Sequence, residues 1–344
     1  MNQSLDRFAD QPGESASSSE ATKAAAAISI KGKLKNVLRK IALTLVSTFI
    51  AVSTLVGADL YLHHKHGVNV WGYRGPSVGR KQPGEKRVAV LGGSTAWGFG
   101  LAAAQSFPGQ LQQRFAERSA SQRSPPLNVL NLAYNNEGAY SFKYTMKDYD
   151  YLDYDVVLIY SGYNDLWQPN LFVFRHQSPI FNWTGYLPLL PALMADRINA
   201  WRSRPGKEDK PIVFTTTRAD NDSEMRQQLD RLNDPNPPET SYSEWKFYCD
   251  QIYEAVDLAL KSGKRVLIVT EPYINDKHVI QQRALEQMLA ERFAGQGNLR
   301  YLNLGRAVDL RDPALCWDGM HLTEEGNRRI AGAMMQPITD LLQR

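Results

Sequence analysis

Cysteine is nearly absent from this 344-residue chain, which contains only Cys249 and Cys316. Two cysteines are too few for the disulfide framework that stabilises small secreted domains. The composition, 43% hydrophobic and 22% charged residues, instead indicates a globular protein with a sizeable core. The two cysteines either pair outside the cytoplasm or remain thiols, and the sequence leaves both alternatives open.

Signs of nucleic-acid binding are also missing. The formal net charge is +4, but part of it comes from lysines that precede an apolar segment. No basic helix with interleaved aromatic residues and no nucleic-acid-binding motif occurs in the sequence. We therefore expect no nucleic acid among the partners of this protein.

One long apolar run dominates the N-terminal part. Residues 1–31 are rich in Ser, Ala, Gln and Glu and poor in large apolar side chains, which predicts a disordered tail. The stretch from Ile41 to Ala58 then carries no charged residue. With its apolar neighbours it predicts a transmembrane anchor over residues 37–62, long enough to span the hydrocarbon core of a bilayer.

The charges around this run predict its orientation in the membrane. On the C-terminal side, only Lys65 is a comparably close cation. The N-terminal side carries five cations: Lys31, Lys33, Lys35, Arg39 and Lys40. By the positive-inside rule the tail stays in the cytoplasm, and the C-terminal domain is extracytoplasmic, either periplasmic or extracellular. A signal peptide cleaved after Val56-Gly57-Ala58 and a buried core helix are the alternatives.

Short apolar runs alternate with helical patterns beyond a polar connector at 63–85. The runs are five or six residues long, as in strands buried on both faces, and cover 87–91, 128–132, 156–160, 265–270 and 300–304. Apolar residues recur at helical spacing over 107–118, 242–261 and 324–342. This alternation predicts a parallel sheet covered by helices on both faces, with ligands bound beyond the carboxyl ends of the strands.

The long interruption at about 166–243 is rich in aromatic residues and then in polar ones. We interpret it as an insertion over the strand edge that forms a lid or the walls of a substrate site. A small helical subdomain with its own packing is the alternative interpretation.

Three short motifs occur in a fixed order around this pattern. Gly92-Gly93-Ser94-Thr95 follows the first run, Gly162-Tyr163-Asn164-Asp165 follows the third, and Asp318-Gly319-Met320-His321 lies near the C-terminus. Together they supply a serine, oxyanion donors and an Asp-x-x-His pair, the groups needed for acyl transfer through a serine nucleophile. The first motif is not a P-loop, because no Gly-Lys-Ser/Thr follows. It is not a Gly-x-Ser-x-Gly elbow either, because position 96 is alanine.

The motifs resemble the conserved blocks of the SGNH (GDSL-like) hydrolase superfamily, over residues 86–344 without the insertion. The first block is similar to the family's Gly-Asp-Ser turn, although Gly93 stands where the family has aspartate. Gly138 matches the glycine of the second block, and the Gly-x-Asn-Asp and Asp-x-x-His blocks match in full. The resemblance implies a three-layer, flavodoxin-like α/β fold, here preceded by a transmembrane helix, and catalysis without a metal or organic cofactor.

Roles for individual residues follow from this resemblance and from the chemistry of the groups. Ser94 is the expected nucleophile, His321 the general base, and Asp318 the carboxylate that orients the imidazole. The backbone N–H groups of Ser94 and Gly138 and the side-chain amide of Asn164 form the expected oxyanion hole.

Three further titratable residues are expected to have structural roles only. Asp165 is expected to brace its own loop. His176 and His278 stand apart from any motif and are expected to be ordinary surface or packing residues.

The sequence thus predicts a membrane-anchored, extracytoplasmic serine esterase. Its expected substrate is a small O-acyl ester, foremost an acetyl ester, on a small molecule or on a glycan such as a cell-surface polysaccharide. An O-acyltransferase (O-acetyltransferase) that modifies the polysaccharide, a lipase or lysophospholipase, and a catalytically idle binding or scaffold protein are the alternatives. The acyl donor, the acceptor and the oligomeric state stay open at this point.

Overall fold

A computed structural model describes residues 15–191, 194 and 242–343, with positions 124, 174 and 177 excepted. Within it the chain forms two compact units, Met1–Asp59 and Leu60–Arg344. Most of the predicted insertion, residues 195–241, lies outside the described residues, as do residues 1–14.

Helix α1 (Ser15–His66) supplies the described part of the first unit and ends in the second. Its segment Lys33–His66 is long and apolar enough to cross a membrane, and a window of 18 residues within it has a mean hydropathy of 2.1. By length and composition, both a membrane anchor and a signal sequence fit this segment. The sequence analysis predicts disorder up to residue 31, whereas α1 begins at Ser15. The consecutive alanines Ala24–Ala27, the residues of highest helix propensity, give a local reason for this difference.

The second unit contains a parallel sheet of five strands within the described residues. The strands are β1 (Lys86–Gly92), β2 (Leu127–Asn131), β3 (Val156–Ser161), β4 (Arg265–Thr270) and β5 (Leu299–Leu302). Their order is β2-β1-β3-β4-β5, and every neighbouring pair is parallel. This is the flavodoxin-like order. The predicted parallel α/β sheet is therefore confirmed.

Burial on both faces explains why the central strands are continuous apolar runs in the sequence. All six residues of β3 are buried, as are the last five of β4. In register, Ala89 of β1 pairs with Val157, and Leu158 pairs with Leu267 of β4. β5 ends two residues earlier than predicted, because the Asn303 side chain accepts a hydrogen bond from the Gly305 N–H and turns the chain away from the ladder.

Helices cover the sheet in two groups. Helices α3 (Phe107–Gln122) and α8 (Glu324–Gln343) pack against each other. The second group consists of α4 (Ala139–Asp148), α6 (Tyr242–Lys261) and α7 (Asp276–Arg292). Right-handed crossovers place the two groups on opposite faces, which gives the predicted three layers. The apolar pattern of the sequence does not predict helices α4 and α7. Two short helices are α2 (Ser94–Trp97), which follows β1, and α5 (Pro179–Thr184), which lies in the described part of the insertion.

Candidate active site

The ends of three neighbouring strands carry the first three motifs. β1 ends at Gly92, and Ser94 is the first residue of α2. The loop after β2 leads to Gly138, which caps the N-terminus of α4. After β3, a short 3₁₀ turn (Tyr163–Asp165) presents Asn164. Because the strands are parallel, these groups share one edge of the sheet, as the sequence predicts.

A hydrogen-bonded chain of three side chains lies at this edge. The His321 Nε2 atom is 2.9 Å from Ser94 Oγ, and its Nδ1 atom is 2.7 Å from Asp318 Oδ2. A carboxylate only accepts, so Nδ1 carries the proton and Nε2 is left to accept from the serine hydroxyl. The arrangement therefore holds the tautomer that a general base requires.

The turn between Asp318 and His321 fixes this geometry. Asp318 Oδ1 accepts from the backbone N–H groups of Met320 at 3.0 Å and of His321 at 2.6 Å. Gly319, which follows Asp318 in this turn, has φ +82°, a left-handed conformation that glycine adopts without steric cost. Burial raises the pKa of Asp318, but its hydrogen bonds with His321 outweigh this and hold the pKa below the ordinary value. Asp318 is thus an ionised acceptor at neutral pH.

The Asn164 side chain lies directly beside the serine turn. Its Nδ2 atom donates to the backbone carbonyl of Glu137 at 2.8 Å, which leaves the second N–H of the amide to point at a reacting group. A Cβ atom at Gly93 would lie only 2.0 Å from Asn164 Nδ2. A side chain at position 93 would therefore have to displace the Asn164 amide, although the Gly-Asp-Ser motif of the SGNH family has aspartate at this position.

Asp165 fixes the position of the Gly138 loop. Its Oδ2 atom accepts from the Ala139 N–H at 2.9 Å, at the first turn of α4. A Cβ atom at Gly138 would lie 2.7 Å from both carboxylate oxygens of Asp165, so a side chain there would displace the loop. Burial raises the pKa of Asp165 to about 7. Asp165 is thus a bracing residue, as expected, but these contacts brace the loop of Gly138 and not the loop of Asp165 itself.

Comparison with known proteins adds information on the fold only. No model of a protein family matches the chain, and no curated protein matches it. Among solved structures, LAE5, an α/β hydrolase enzyme from the metagenome of Lake Arreo, Spain, is 16% identical with a TM-score of 0.43 and covers 74% of this chain and 96% of its own. A lipolytic protein of the G-D-S-L family from Desulfitobacterium hafniense DCB-2 is 14% identical with a TM-score of 0.40, covering 73% and 98%. A mutant of Axe2, an acetylxylan esterase from Geobacillus stearothermophilus, is 13% identical with a TM-score of 0.43, covering 74% and 94%.

The strand order and the three motifs at the strand ends agree with the α/β fold that the resemblance implies. The fold is of the flavodoxin-like α/β type. Two structural neighbours are named as GDSL proteins. At TM-scores below 0.5, however, the likeness does not bear on the function of this chain.

One buried carboxyl group that contacts two of the motifs is not predicted from the sequence. Glu271, directly after β4, accepts a hydrogen bond from the Thr95 hydroxyl and another from the Tyr163 N–H at 2.7 Å. It therefore joins the turn of Ser94 to the turn of Asn164. Burial raises the pKa of Glu271 to about 8, so the carboxyl group is largely protonated at neutral pH. Only its position just after a strand could have singled it out in the sequence.

A second unpredicted feature is an ion pair between the described part of the insertion and the loop after β2. The Arg175 side chain is fully buried, and its Nη2 atom lies 3.1 Å from Glu137 Oε2 and donates to the Leu132 carbonyl at 2.6 Å. Glu137 adjoins Gly138, so Arg175 anchors the insertion to the loop that carries this oxyanion candidate. Nothing in the sequence pairs these two residues.

The remaining titratable candidates lie apart from the reacting groups. His278 is fully buried against Tyr163 and Tyr273, and burial lowers its pKa to about 3, so it is a packing residue. His176 is a surface residue with its Nδ1 atom 3.0 Å from Asp148 Oδ1. In the described ranges, no group of three or more His, Cys, Asp or Glu residues could hold a metal ion.

Both cysteines are buried and unpaired, so the structure contains no disulfide between them. Burial raises the pKa of the Cys249 thiol and of the Cys316 thiol to about 12. Both groups are therefore neutral thiols at physiological pH.

Proposed function

We propose that this chain is a membrane-anchored, extracytoplasmic serine esterase that removes small acyl groups, foremost acetyl, from oxygen esters. The observation that carries the proposal is the chain of contacts from Ser94 Oγ through His321 to Asp318, at 2.9 and 2.7 Å. Among protein sites, a serine, an oriented imidazole and adjacent oxyanion donors are the parts of a covalent acyl-transfer mechanism. A binding or scaffold protein without catalytic activity would not need this arrangement of groups.

The reaction would proceed in two half-reactions. Ser94 Oγ attacks the ester carbonyl carbon while its proton moves to His321 Nε2, and Asp318 stabilises the resulting imidazolium. The oxyanion of the tetrahedral intermediate is held by the backbone N–H groups of Ser94 and Gly138 and by the Asn164 amide. Breakdown returns the proton to the leaving alkoxide and forms an acyl-serine. Water, activated by the same imidazole, then releases the carboxylic acid and regenerates the enzyme.

The proposed location rests on the N-terminal segment. The apolar part of α1 is long enough to span a bilayer, and cations are concentrated on its N-terminal side. By the positive-inside rule this favours a cytoplasmic N-terminus and an exported catalytic unit. An exported esterase meets the O-acetyl groups of surface glycans, which is the reason for proposing a short acyl group.

The test is hydrolysis of 4-nitrophenyl acetate and butyrate by the full-length chain in detergent micelles. We expect the acetate to react faster, and we expect Ser94→Ala to lower kcat by at least about 10³-fold. The matched control is Ser262→Ala, because Ser262 lies just before β4, at the opposite edge of the sheet. Undiminished turnover in Ser94→Ala would refute the proposal, and a preference for the butyrate would favour a lipase.

An acyltransferase would use the same acyl-serine and a different acceptor. Adding a polysaccharide acceptor to the assay separates the two activities, since transfer forms an acylated sugar in place of free acetate. Acylated polysaccharide as the main product would identify the chain as an O-acetyltransferase.

A further inference from the structure

Two half-exposed aromatic side chains border the reacting groups. Phe99 is 44% exposed and Trp317 is 41% exposed. The Phe99 N–H donates to the Ser94 carbonyl at 3.0 Å, and the Trp317 N–H donates to the His321 carbonyl at 3.1 Å. Each aromatic residue is thus tied through its backbone to a residue of the proposed triad. We call this pair the aromatic ledge.

The rings of the ledge pack against the imidazole of His321. The Trp317 ring is stacked on His321 at 5.5 Å with an interplanar angle of 21°, and on Phe99 at 6.1 Å with an angle of 18°. A Cβ atom at Gly100, which has φ +79°, would lie 3.2 Å from the Trp317 ring. A glycine at this position therefore leaves room for the indole. With Phe99 also 4.9 Å from His321 at an angle of 39°, the result is a cluster of aromatic rings that begins at the imidazole and keeps part of its surface in solvent.

The position of the ledge assigns it to one half of the substrate. His321 Nε2 must protonate the leaving oxygen, so the alcohol half of an ester lies on the imidazole side. The acyl oxygen points instead toward Gly138 and Asn164, which belong to other strand ends. The ledge therefore meets the alcohol half of the ester.

The shape of the ledge distinguishes between classes of alcohol. A long lipid chain is best accommodated in an enclosed apolar cavity, whereas both rings here keep about two-fifths of their surface in solvent. A methyl or ethyl group is too small to cover two rings. A sugar ring fits, because the C–H groups on one face pack against a flat aromatic surface while its hydroxyl groups stay hydrated.

We propose that Phe99 and Trp317 bind the sugar ring that carries the acyl group, so that the substrates are O-acylated carbohydrates. This assignment rests on the proposed esterase function of the same site. It identifies both rings as specificity-determining residues that act on substrate binding.

The experiment compares two esters that differ only in the alcohol. The full-length chain in detergent micelles is assayed with a partially O-acetylated xylo-oligosaccharide and with methyl acetate, whose alcohol cannot cover the ledge. Trp317→Ala and Phe99→Ala should each raise KM for the sugar ester on the order of 10-fold, and kcat/KM for methyl acetate should stay within about 2-fold. Trp317→Phe should recover most of the lost affinity.

Trp71→Ala is the matched control, because Trp71 is also 41% exposed but belongs to the segment before β1. It should leave both substrates unaffected. Equal losses on both esters would overturn the assignment, since the ledge would then only orient the imidazole, and an unchanged KM for the sugar ester would overturn it as well. Absence of Ser94-dependent acetate release from both esters by the wild-type chain would instead refute the esterase function itself.

Discussion

Replacing Gly93 with alanine adds one carbon atom beside the oxyanion side chain. The new Cβ atom would lie 2.0 Å from Asn164 Nδ2 and 3.1 Å from the Glu137 carbonyl oxygen. Gly93 has φ −90°, which any residue adopts, so alanine introduces no backbone strain. The change therefore acts through the Asn164 contact.

The size of the effect follows from the overlap. Non-bonded carbon and nitrogen atoms rest about 3.5 Å apart, so the Asn164 amide must move by roughly 1.5 Å. This shift breaks its bond with the Glu137 carbonyl and removes the second N–H from the oxyanion. Losing one preorganised donor costs about 2.7–4 kcal/mol, or roughly 10²–10³ in kcat. KM should change little, because the oxyanion forms only after binding.

The assay is steady-state hydrolysis of 4-nitrophenyl acetate by the full-length chain. Gly79→Ala is the matched control, since a Cβ atom at Gly79 meets nothing within 4 Å and its φ is not positive. This variant should keep wild-type kcat and KM. Gly93→Asp introduces the residue that the SGNH family has at this position. It should lower kcat at least as much as Gly93→Ala, because it adds the same Cβ atom.

A double-mutant cycle tests whether Gly93→Ala acts through Asn164. Asn164→Ala should by itself lower kcat by roughly 10²–10³. In that background, Gly93→Ala should cost almost nothing further, because the overlapping atoms are gone. Wild-type kcat in Gly93→Ala, or additive losses in the double variant, would refute the reasoning.

Three further changes probe other parts of the site. Asp318→Asn places an amide donor opposite Nδ1, imposes the wrong tautomer on His321, and should lower kcat by about 10⁴ with the fold intact by circular dichroism. Glu271→Gln should reduce the pH dependence of the unfolding free energy: the raised native pKa of Glu271 makes wild-type stability fall as pH rises from about 4.5 to about 8, and denaturant titrations across that window should show a smaller fall in the variant, with the contribution of Asp165 remaining. Arg175→Met leaves the Glu137 carboxylate buried without its arginine and should cost about 3–5 kcal/mol in the same titrations, with partial recovery on adding Glu137→Gln.

Local sequence patterns were sufficient for the sheet and for the position of the motifs. The β3 and β4 strands are continuous apolar runs because both of their faces are covered, and such runs are visible in a sequence. Ser94 and Asn164 closely follow strands and Gly138 lies in the loop after a third strand, so parallel topology brings them to one edge. Asp318 and His321 are three residues apart, and their contact needs only a tight turn.

Contacts between distant segments could not be predicted in this way. Thr95 and Glu271 are 176 positions apart, and neither belongs to a pattern that names the other. Arg175 lies in an irregular segment, where a single arginine is usually an exposed residue. The cost of Gly93 substitution likewise depends on how closely β3 approaches β1, which is a property of the packed sheet.

These distant contacts determine whether the motifs can work together. Thr95, beside the nucleophile, is joined to Glu271 after β4, and Glu271 is joined to Tyr163 after β3. The next residue, Asn164, is joined to Glu137 after β2. Four strand ends are thus linked in one hydrogen-bonded series that holds the oxyanion donor against the serine turn. A chain could carry all four motifs and still lack this series, so the motifs identify the reacting groups while the buried links set the distances between them.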